Sequence, residues 1–98
     1  MLYKLTPDAE NDIIEIYGYG FRTFGETQTE KYFSELEDSF QFLSETPLIC
    51  RERTEFIPSV RIHHHGRHLV IYLIQDDQIL IVRILHDSMD IQQHLSSL

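Results

Sequence analysis

The sequence predicts an α+β domain in which an antiparallel helical hairpin packs on an antiparallel β-sheet. Two apolar stripes of helical period fill the first half of the chain. Three apolar runs then follow between residues 59 and 86, separated by the tight-turn pairs His65-Gly66 and Asp76-Asp77. With a short N-terminal strand the order is β-αα-βββ, followed by a short C-terminal helix or tail. The 98 residues suffice for one domain of this kind.

The first half of the chain carries the start and stop patterns of one strand and two helices. Leu2–Thr6 alternates and predicts the strand, with Thr6 also capping a helix that has Pro7 at its first position. Gly25 stops this helix, the capping-box spacing of Thr27–Glu30 opens a second one, and Thr46-Pro47 ends it. The apolar stripes are interpreted mainly as core; they comprise Ala9, Ile13, Ile16, Tyr17, Gly20, Phe21 and Phe24, then Tyr32, Phe33, Leu36, Phe40 and Leu43.

The second half predicts a loop, a three-stranded meander and a last helix. Leu48–Pro58 is expected to be a loop, and Ser59–His64 alternates as a half-buried strand should. Leu69–Ile74 and Ile79–Leu85 are almost wholly apolar, which predicts strands buried on both faces. Asp87 is predicted to cap a short helix or tail that continues to the end of the chain.

Charge is unevenly placed along the chain, whose formal net charge is −8. Residues 1–46 hold three basic and ten acidic side chains, a net of −7. Residues 47–98 hold five arginines, six acids and all six histidines, a net of −1. The acidity is interpreted as a solvated helix face. Broad binding to nucleic acid is not expected, because neutralising phosphates requires a clustered positive surface.

Cysteine content and hydropathy predict a cytoplasmic protein. Cys50 is the only cysteine, which excludes an internal disulfide and fits a reducing compartment. No segment approaches the length of a membrane span, and Met1–Thr6 leads into a helix start rather than a signal peptide.

The histidine run His63–His65 is a weak metal motif. Neighbouring residues of a strand point to opposite faces, so three consecutive histidines do not converge on one ion. The sequence also lacks a Gly-rich phosphate loop, a nucleophile elbow and a recognisable Cys-His pair. We therefore predict no metal and no cofactor, and the motifs do not favour an enzyme.

A second polar set, on the predicted strands, allows two interpretations. Arg61, Arg83 and His86, with His68 and Tyr72 nearby, could cleave RNA, with histidine moving protons and arginine stabilising the phosphorane. Residues 83 and 86 fall on opposite faces of a regular strand, which argues against this. The alternative is that Arg83 pairs with an acidic residue and His86 caps the strand end.

Two further motifs resemble the ParE toxins of the ParE/RelE superfamily. They are G-R-H-L-V-I-Y at Gly66–Tyr72 and I-L-I-V-R-I-L-H-D-S-M-D-I-Q-Q-H-L at Ile79–Leu95, and L-T-P-x-A near the start agrees with the same family. The resemblance implies a RelE/ParE-like fold and the toxin of a type II toxin–antitoxin system. Such a toxin inhibits DNA gyrase and replication, forms a hetero-oligomer with a ParD-like antitoxin and needs no cofactor.

The resemblance also implies functional surfaces. The expected gyrase-directed surface comprises Arg61, Arg83, His86, Met89 and Asp90. The antitoxin tail is expected in a groove over the hairpin and sheet, at Tyr17, Phe21, Phe33, Leu36, Phe40, His68 and Tyr72. Because the front half is acidic, its contacts should be mainly apolar or bring arginines or lysines to Glu30, Glu37 and Asp38. Two alternatives remain: a RelE-like ribosome-dependent ribonuclease using Arg61, Arg83 and His86, or an inactive member that binds only its antitoxin.

Overall fold

A computed structural model describes residues 1–95 and has a four-stranded sheet with a helical hairpin on one face. In chain order its elements are β1 (Leu2–Leu5), α1 (Pro7–Phe24), α2 (Glu26–Glu45), β2 (Arg61–His65), β3 (His68–Gln75), β4 (Gln78–His86) and α3 (Ile91–Leu95). The predicted α+β class and element order are confirmed. The end of the predicted C-terminal helix, residues 96–98, lies outside the described part of the chain.

The sheet has the strand order β1-β4-β3-β2. The meander β2-β3-β4 is antiparallel, as predicted, but β1 runs parallel to β4, so the sheet is mixed rather than wholly antiparallel. β1 leads into a helix instead of a tight turn, so no hairpin fixes its direction relative to its neighbour. Thr6 secures the strand end, since its hydroxyl donates to the backbone oxygen of Val82 at 2.8 Å.

Both turns of the meander contain two residues. Asp76 and Asp77 have φ of 53° and 59°, the left-handed pair that a type I′ turn requires, which confirms the predicted position. The first turn is Gly66-Arg67 rather than the predicted His65-Gly66. His65 still pairs with His68 across the strands, and Gly66 supplies the positive φ (56°) at the first turn position.

The two helices are joined by a single residue. Gly25, with φ 86°, ends α1 and immediately precedes α2. The predicted capping box at Thr27–Glu30 is therefore wrong: α2 already starts at Glu26, and no side chain caps it. Thr29 instead lies buried in the corner, where its hydroxyl donates to the backbone oxygen of Gly25 at 2.7 Å. The predicted cap at Thr6 is confirmed, since its hydroxyl accepts the N–H of Ala9.

Apolar side chains form a core on each face of the sheet. The helix-side cluster comprises Ala9, Leu36, Phe40, Leu43, Val70, Tyr72, Ile79, Ile81 and Ile84. The opposite cluster comprises Phe56, Val60, Leu69, Ile71, Val82, Leu85 and Leu95. Most of β3 and β4 is thus buried from both sides, as their apolar runs predict.

A β-bulge in β4 determines which of its residues reach the helices. Tyr72 pairs with Ile81 and Ile71 pairs with Arg83, so Val82 is an extra residue on β4. The alternation of faces shifts at this point, because Ile81 and Ile84 both join the helix-side cluster although three positions separate them. Arg83, directly after the bulge, comes within reach of α1.

The loop and the last helix cover the face opposite the hairpin. The predicted loop is confirmed, and it buries Phe56 beneath the sheet. The last helix begins at Ile91, and its cap is Asp90, whose carboxylate accepts the N–H of Gln92 at 3.1 Å; Asp87, the predicted cap, lies too early. Within residues 1–95, no helix has the length and apolar content needed to cross a membrane.

Candidate functional site

A groove of about 960 Å³ opens between the helical hairpin and the part of the sheet where β3 begins and β4 ends. Its walls come from both long helices, from the paired ends of β3 and β4, and from the segment before α3. Its charged and aromatic lining comprises Asp12, Glu15, Tyr19, Phe24, Tyr32, Phe33, Arg67, His68, Arg83, His86 and His94. Apolar and titratable groups thus share one surface, which makes the groove the candidate functional site.

Arg83 and Asp12 form the floor of the groove. The guanidinium donates two hydrogen bonds to the carboxylate, at 2.8 and 2.9 Å, and the backbone N–H of Ile84 donates a third at 2.9 Å. Both side chains are largely buried, at 17% and 11% exposure. Hydrogen bonding to Asp12 raises the pKa of Arg83. The ion-pair interpretation of Arg83 is therefore the one that the structure supports, because the guanidinium is already committed to a carboxylate.

Tyr32 organises the histidines at the groove wall. Its hydroxyl donates to the backbone oxygen of His65 at 3.1 Å and lies 2.5 Å from Nδ1 of His68. The Tyr32 hydroxyl thus links the end of β2 to the His68 ring on β3. A Cβ on Gly66 would lie 3.0 Å from the Tyr32 ring, so this close approach requires glycine at the turn.

His68 and His86 face each other at the ends of paired strands. Their rings are perpendicular, with centroids 5.8 Å apart. Burial, followed by the charges of His86 and His65, lowers the pKa of His68, so this ring is neutral at pH 7. Nδ1 of His86 accepts the backbone N–H of Ser88 at 3.1 Å and lies 2.7 Å from its hydroxyl. His86 thus closes the strand end, as the second interpretation of the sequence has it.

Arg61 lies at a distance from this cluster. It pairs with Tyr72 on β3, whereas His86 pairs with His68, four residues away on the same strand. The two are therefore separated by about 13 Å along the strands and about 10 Å across them. The Arg61 guanidinium donates to the backbone oxygen of Cys50 at 2.5 Å. Arg61, Arg83 and His86 do not converge on a common point.

Three of the expected antitoxin contacts belong to the core. Leu36, Phe40 and Tyr72 are each at most 2% exposed, so no partner can touch them in this fold, and the expectation is corrected for these three. The Tyr72 hydroxyl donates to the backbone oxygen of Pro47 at 2.9 Å, and burial raises its pKa. Their positions on the stripe that faces the sheet explain the error, because inward residues of a helical hairpin pack on the strands.

The remaining expected contacts are accessible and divide between two surfaces. Phe33 and His68 line the groove. Tyr17 and Phe21 lie on α1, where their rings stack at 6.3 Å. At the rim of the groove Met89 is 45% exposed, whereas Asp90 is engaged as the cap of α3.

Two residues that organise the groove were missed by the sequence reasoning. Asp12 had a usable signal, because it stands at i+3 from Ala9 and i−4 from Ile16 and so places a carboxylate beside the apolar stripe. Tyr32 was assigned to the core stripe; its contacts to His65 and His68 span more than 30 positions, and no local sequence pattern predicts them.

In residues 1–95, no group of three or more His, Cys, Asp or Glu side chains is arranged to hold a metal ion.

Comparisons with known proteins agree on one family. The sequence model of the family described as "ParE toxin of type II toxin-antitoxin system, parDE" matches residues 3–91. Toxin ParE1 of Mycobacterium tuberculosis (strain H37Rv) is 30% identical over 94 residues, which cover 95% of this chain and 96% of that protein. Toxin ParE of Escherichia coli is 30% identical over 95 residues, covering 96% and 92% respectively.

The fold has a solved counterpart. A chain from a structure described as "Chromosomal ParDE TA system from P. aeruginosa" aligns with a TM-score of 0.74 at 20% identity. The alignment covers 88% of this chain and 95% of that one. At this level of identity, the match shows a shared architecture.

Proposed function

The chain belongs to the ParE toxins of type II toxin–antitoxin systems, and we propose that it inhibits DNA gyrase by binding, while a ParD-like antitoxin keeps it inactive. The observation that supports inhibition by binding, rather than catalysis, is that Arg61, Arg83 and His86 do not converge on one point. Arg83 is committed to Asp12, Arg61 to the oxygen of Cys50, and His86 to Ser88. A phosphoryl-transfer centre needs an acid, a base and a cation around one reacting group.

The rim of the groove supports the assignment of the gyrase-directed surface. Met89 is exposed there, and His86 lines the same groove. An exposed methionine adapts readily to an apolar partner surface, because its side chain is flexible and polarizable. We assign the first contact with gyrase to this rim, and the buried pair of Arg83 and Asp12 to its support.

The size and lining of the groove support the antitoxin as its occupant. A volume of about 960 Å³ is at the upper end of the range for small-molecule pockets. Tyr19 and Phe24 are 61% and 59% exposed along its helical wall, which leaves apolar surface for a peptide to cover. An antitoxin segment in the groove would cover Met89 and His86 as well, so binding and neutralisation would be one event.

A gyrase assay with the purified chain, free of antitoxin, tests the proposal. Relaxed plasmid reports supercoiling, and supercoiled plasmid reports linear DNA that is trapped on the enzyme. We expect linear DNA to rise with the amount of chain, and equimolar antitoxin to abolish the effect. Unchanged gyrase activity at a large molar excess of chain would remove gyrase as the target.

An mRNA cleavage assay with the same preparation, together with expression of the chain in cells, distinguishes the two alternatives. Cleavage of mRNA on translating ribosomes would indicate a ribonuclease, and expression without growth arrest would indicate an inactive member. His86→Asn is a suitable variant for the ribonuclease test, since Arg83→Ala would leave Asp12 buried without its partner. If neither gyrase nor mRNA is affected and growth continues, the inactive member is favoured.

A further inference from the structure

The outer face of the helical hairpin combines exposed apolar side chains with carboxylates. Ile14, Tyr17 and Phe21 recur at i, i+3 and i+7 along α1, so they share one face. Ile14 is 67% exposed and Phe21 is 48% exposed. We name these three residues, together with Glu30 and Glu37 on the neighbouring face of α2, the hairpin seam.

Contacts of Tyr17 join the two helices across the hairpin seam. Its ring lies 5.3 Å from that of Phe33, and its hydroxyl donates to Glu30 at 3.3 Å. Partial burial, together with the carboxylates of Glu30 and Glu26, raises the pKa of Tyr17. Glu37 lies one turn beyond Phe33 on α2, at i+4, so it lies on the same face. Glu30 and Glu37 therefore flank the apolar stripe on its α2 side, at i−3 and i+4 from Phe33.

The chain does not neutralise this charge itself. Residues 7–45 contain ten carboxylates against Arg22 and Lys31, a net of −8. Of these ten, only Asp12 enters an ion pair within residues 1–95, with Arg83 of the sheet. The rest of the sequence is nearly balanced, with Lys4 before the hairpin and five arginines against six acids after it. The negative charge is thus concentrated on the hairpin, where a basic partner would meet it.

We propose that the antitoxin segment that covers the hairpin seam is an amphipathic helix with a basic edge. Its apolar side chains pack on Ile14, Tyr17 and Phe21, and its arginines or lysines face Glu30 and Glu37. This inference rests on the proposed function, because the occupant is the antitoxin. An acidic segment would place like charges together along the whole seam, which weakens binding and slows association. Arginine suits the seam well, since its planar group stacks on an aromatic ring and also bonds a carboxylate.

Two designed helical peptides with the same apolar positions serve as probes of the seam. One carries arginine at the flanking positions and the other carries glutamate there. Binding of each to the full chain is measured by fluorescence anisotropy at about 0.1 M salt and again at about 1 M, where the Debye length falls from about 10 Å to about 3 Å. We expect the arginine peptide to bind about tenfold tighter at low salt and to lose most of that advantage at high salt.

Matched variants locate the binding site. E30Q/E37Q removes two seam carboxylates, and D76N/D77N removes two from the β3–β4 turn, where asparagine tolerates the left-handed conformation. The seam variant should weaken the arginine peptide by about three- to tenfold, and the turn variant by less than about twofold. Equal losses in both would show attraction to net charge alone and would overturn the proposal. Equal or tighter binding of the glutamate peptide would overturn it too.

The failure of this inference can be told apart from the failure of the proposed function. Suppose that the antitoxin from the same operon restores gyrase activity but the peptides show no preference for arginine. The inference of a basic helix on the hairpin seam is then rejected, and the proposed inhibition of gyrase is retained. If the arginine preference and its dependence on Glu30 and Glu37 hold without any effect on gyrase, the seam stands and the proposed target falls.

Discussion

Three hydrogen bonds converge on the carboxylate of Asp12, two from Arg83 and one from the backbone N–H of Ile84. They tie α1 to the strand residues directly after the β-bulge. Removing one member of a largely buried ion pair leaves the other without compensation for its lost hydration. The pair therefore fixes the position of α1 over the sheet, and with it one wall of the groove.

Asp12→Ala should lower the free energy of unfolding by about 3 kcal/mol, because it leaves the Arg83 guanidinium and a backbone N–H without their acceptor. Urea unfolding followed by circular dichroism measures the change. Glu15→Ala, on the same helix but exposed, serves as the control and should shift stability by no more than about 0.5 kcal/mol. Similar losses in the two variants would mean that the pair contributes little.

His68 should make stability depend on pH near neutrality. Its pKa in the folded chain is lowered from the ordinary value of 6.5, so the unfolded chain binds more protons as the pH falls through 6.5. Stability is then complete above this value and decreases below it. Urea unfolding at closely spaced pH values between about 7.5 and 5.5 should show the decrease, and His68→Gln should flatten it. An unchanged slope in the variant would assign the dependence to other groups, such as His63, whose pKa is also lowered.

At the scale of elements, the one-residue joint between the helices is the most demanding piece of backbone. Gly25 has φ 86° and ψ 172°, a region that only glycine enters at low cost. An added Cβ would meet nothing within 4 Å, so the restriction comes from the backbone and not from packing. Gly25 alone thus provides the change of direction between the two long helices.

Two glycine substitutions should have opposite effects. Gly25→Ala should destabilise the chain by about 1–3 kcal/mol through strain alone. Gly18→Ala, within α1, should stabilise it by about 0.5–1 kcal/mol, because alanine favours the helix and the nearest atom is the mobile end of Arg22 at 3.2 Å. Melting temperatures of the two variants against the parent chain check both signs. A stabilising Gly25→Ala would contradict the backbone argument.

The succession of elements could be predicted because each has a local cause. Thr6-Pro7 starts α1, the period of apolar residues sets the helices, and two uninterrupted runs predict buried strands. The start of α2 could not be predicted, since the pattern at Thr27–Glu30 imitates a cap while Gly25 serves both helices. The parallel direction of β1 depends on a pairing with β4, 76 positions away, that no neighbouring residue reports.

The candidate site was less predictable than the fold, for the same physical reason. The resemblance singled out five residues, of which Arg83, His86 and Met89 line the groove, whereas Arg61 and Asp90 do not. Their arrangement depends on Asp12 and Tyr32, whose contacts are made across the whole chain. Whether an aromatic stripe faces the sheet or solvent is decided by packing rather than by sequence period.

On the scale of the whole molecule, the hairpin seam and the groove rim differ in how many partners our proposal gives them. The antitoxin would cover both surfaces, whereas gyrase would need only the rim. This arrangement predicts that damage to the rim and damage to the hairpin seam are separable: one reduces toxicity, and the other reduces neutralisation.

Met89→Ala should reduce the inhibition of gyrase several-fold without a change in melting temperature, because the side chain is exposed and its loss leaves no cavity in the core. Ile57→Ala removes an apolar side chain that is 89% exposed on the loop before β2, and should leave inhibition unchanged. Supercoiling assays over a range of chain concentrations measure both. Equal inhibition by Met89→Ala and the parent chain would move the contact away from the rim.

The one-residue joint at Gly25 also limits where a protease can first cut the chain. Proteases need an exposed and adaptable length of backbone, and a helix-to-helix connection of one residue does not provide it. Within residues 1–95, the connection between α2 and β2 is the long one, and it presents the exposed Arg51. A trypsin-like enzyme that cuts there separates the helices from the meander while the buried cores still hold the two pieces together. We therefore expect a first cut at this connection to nick the protein without dismantling it.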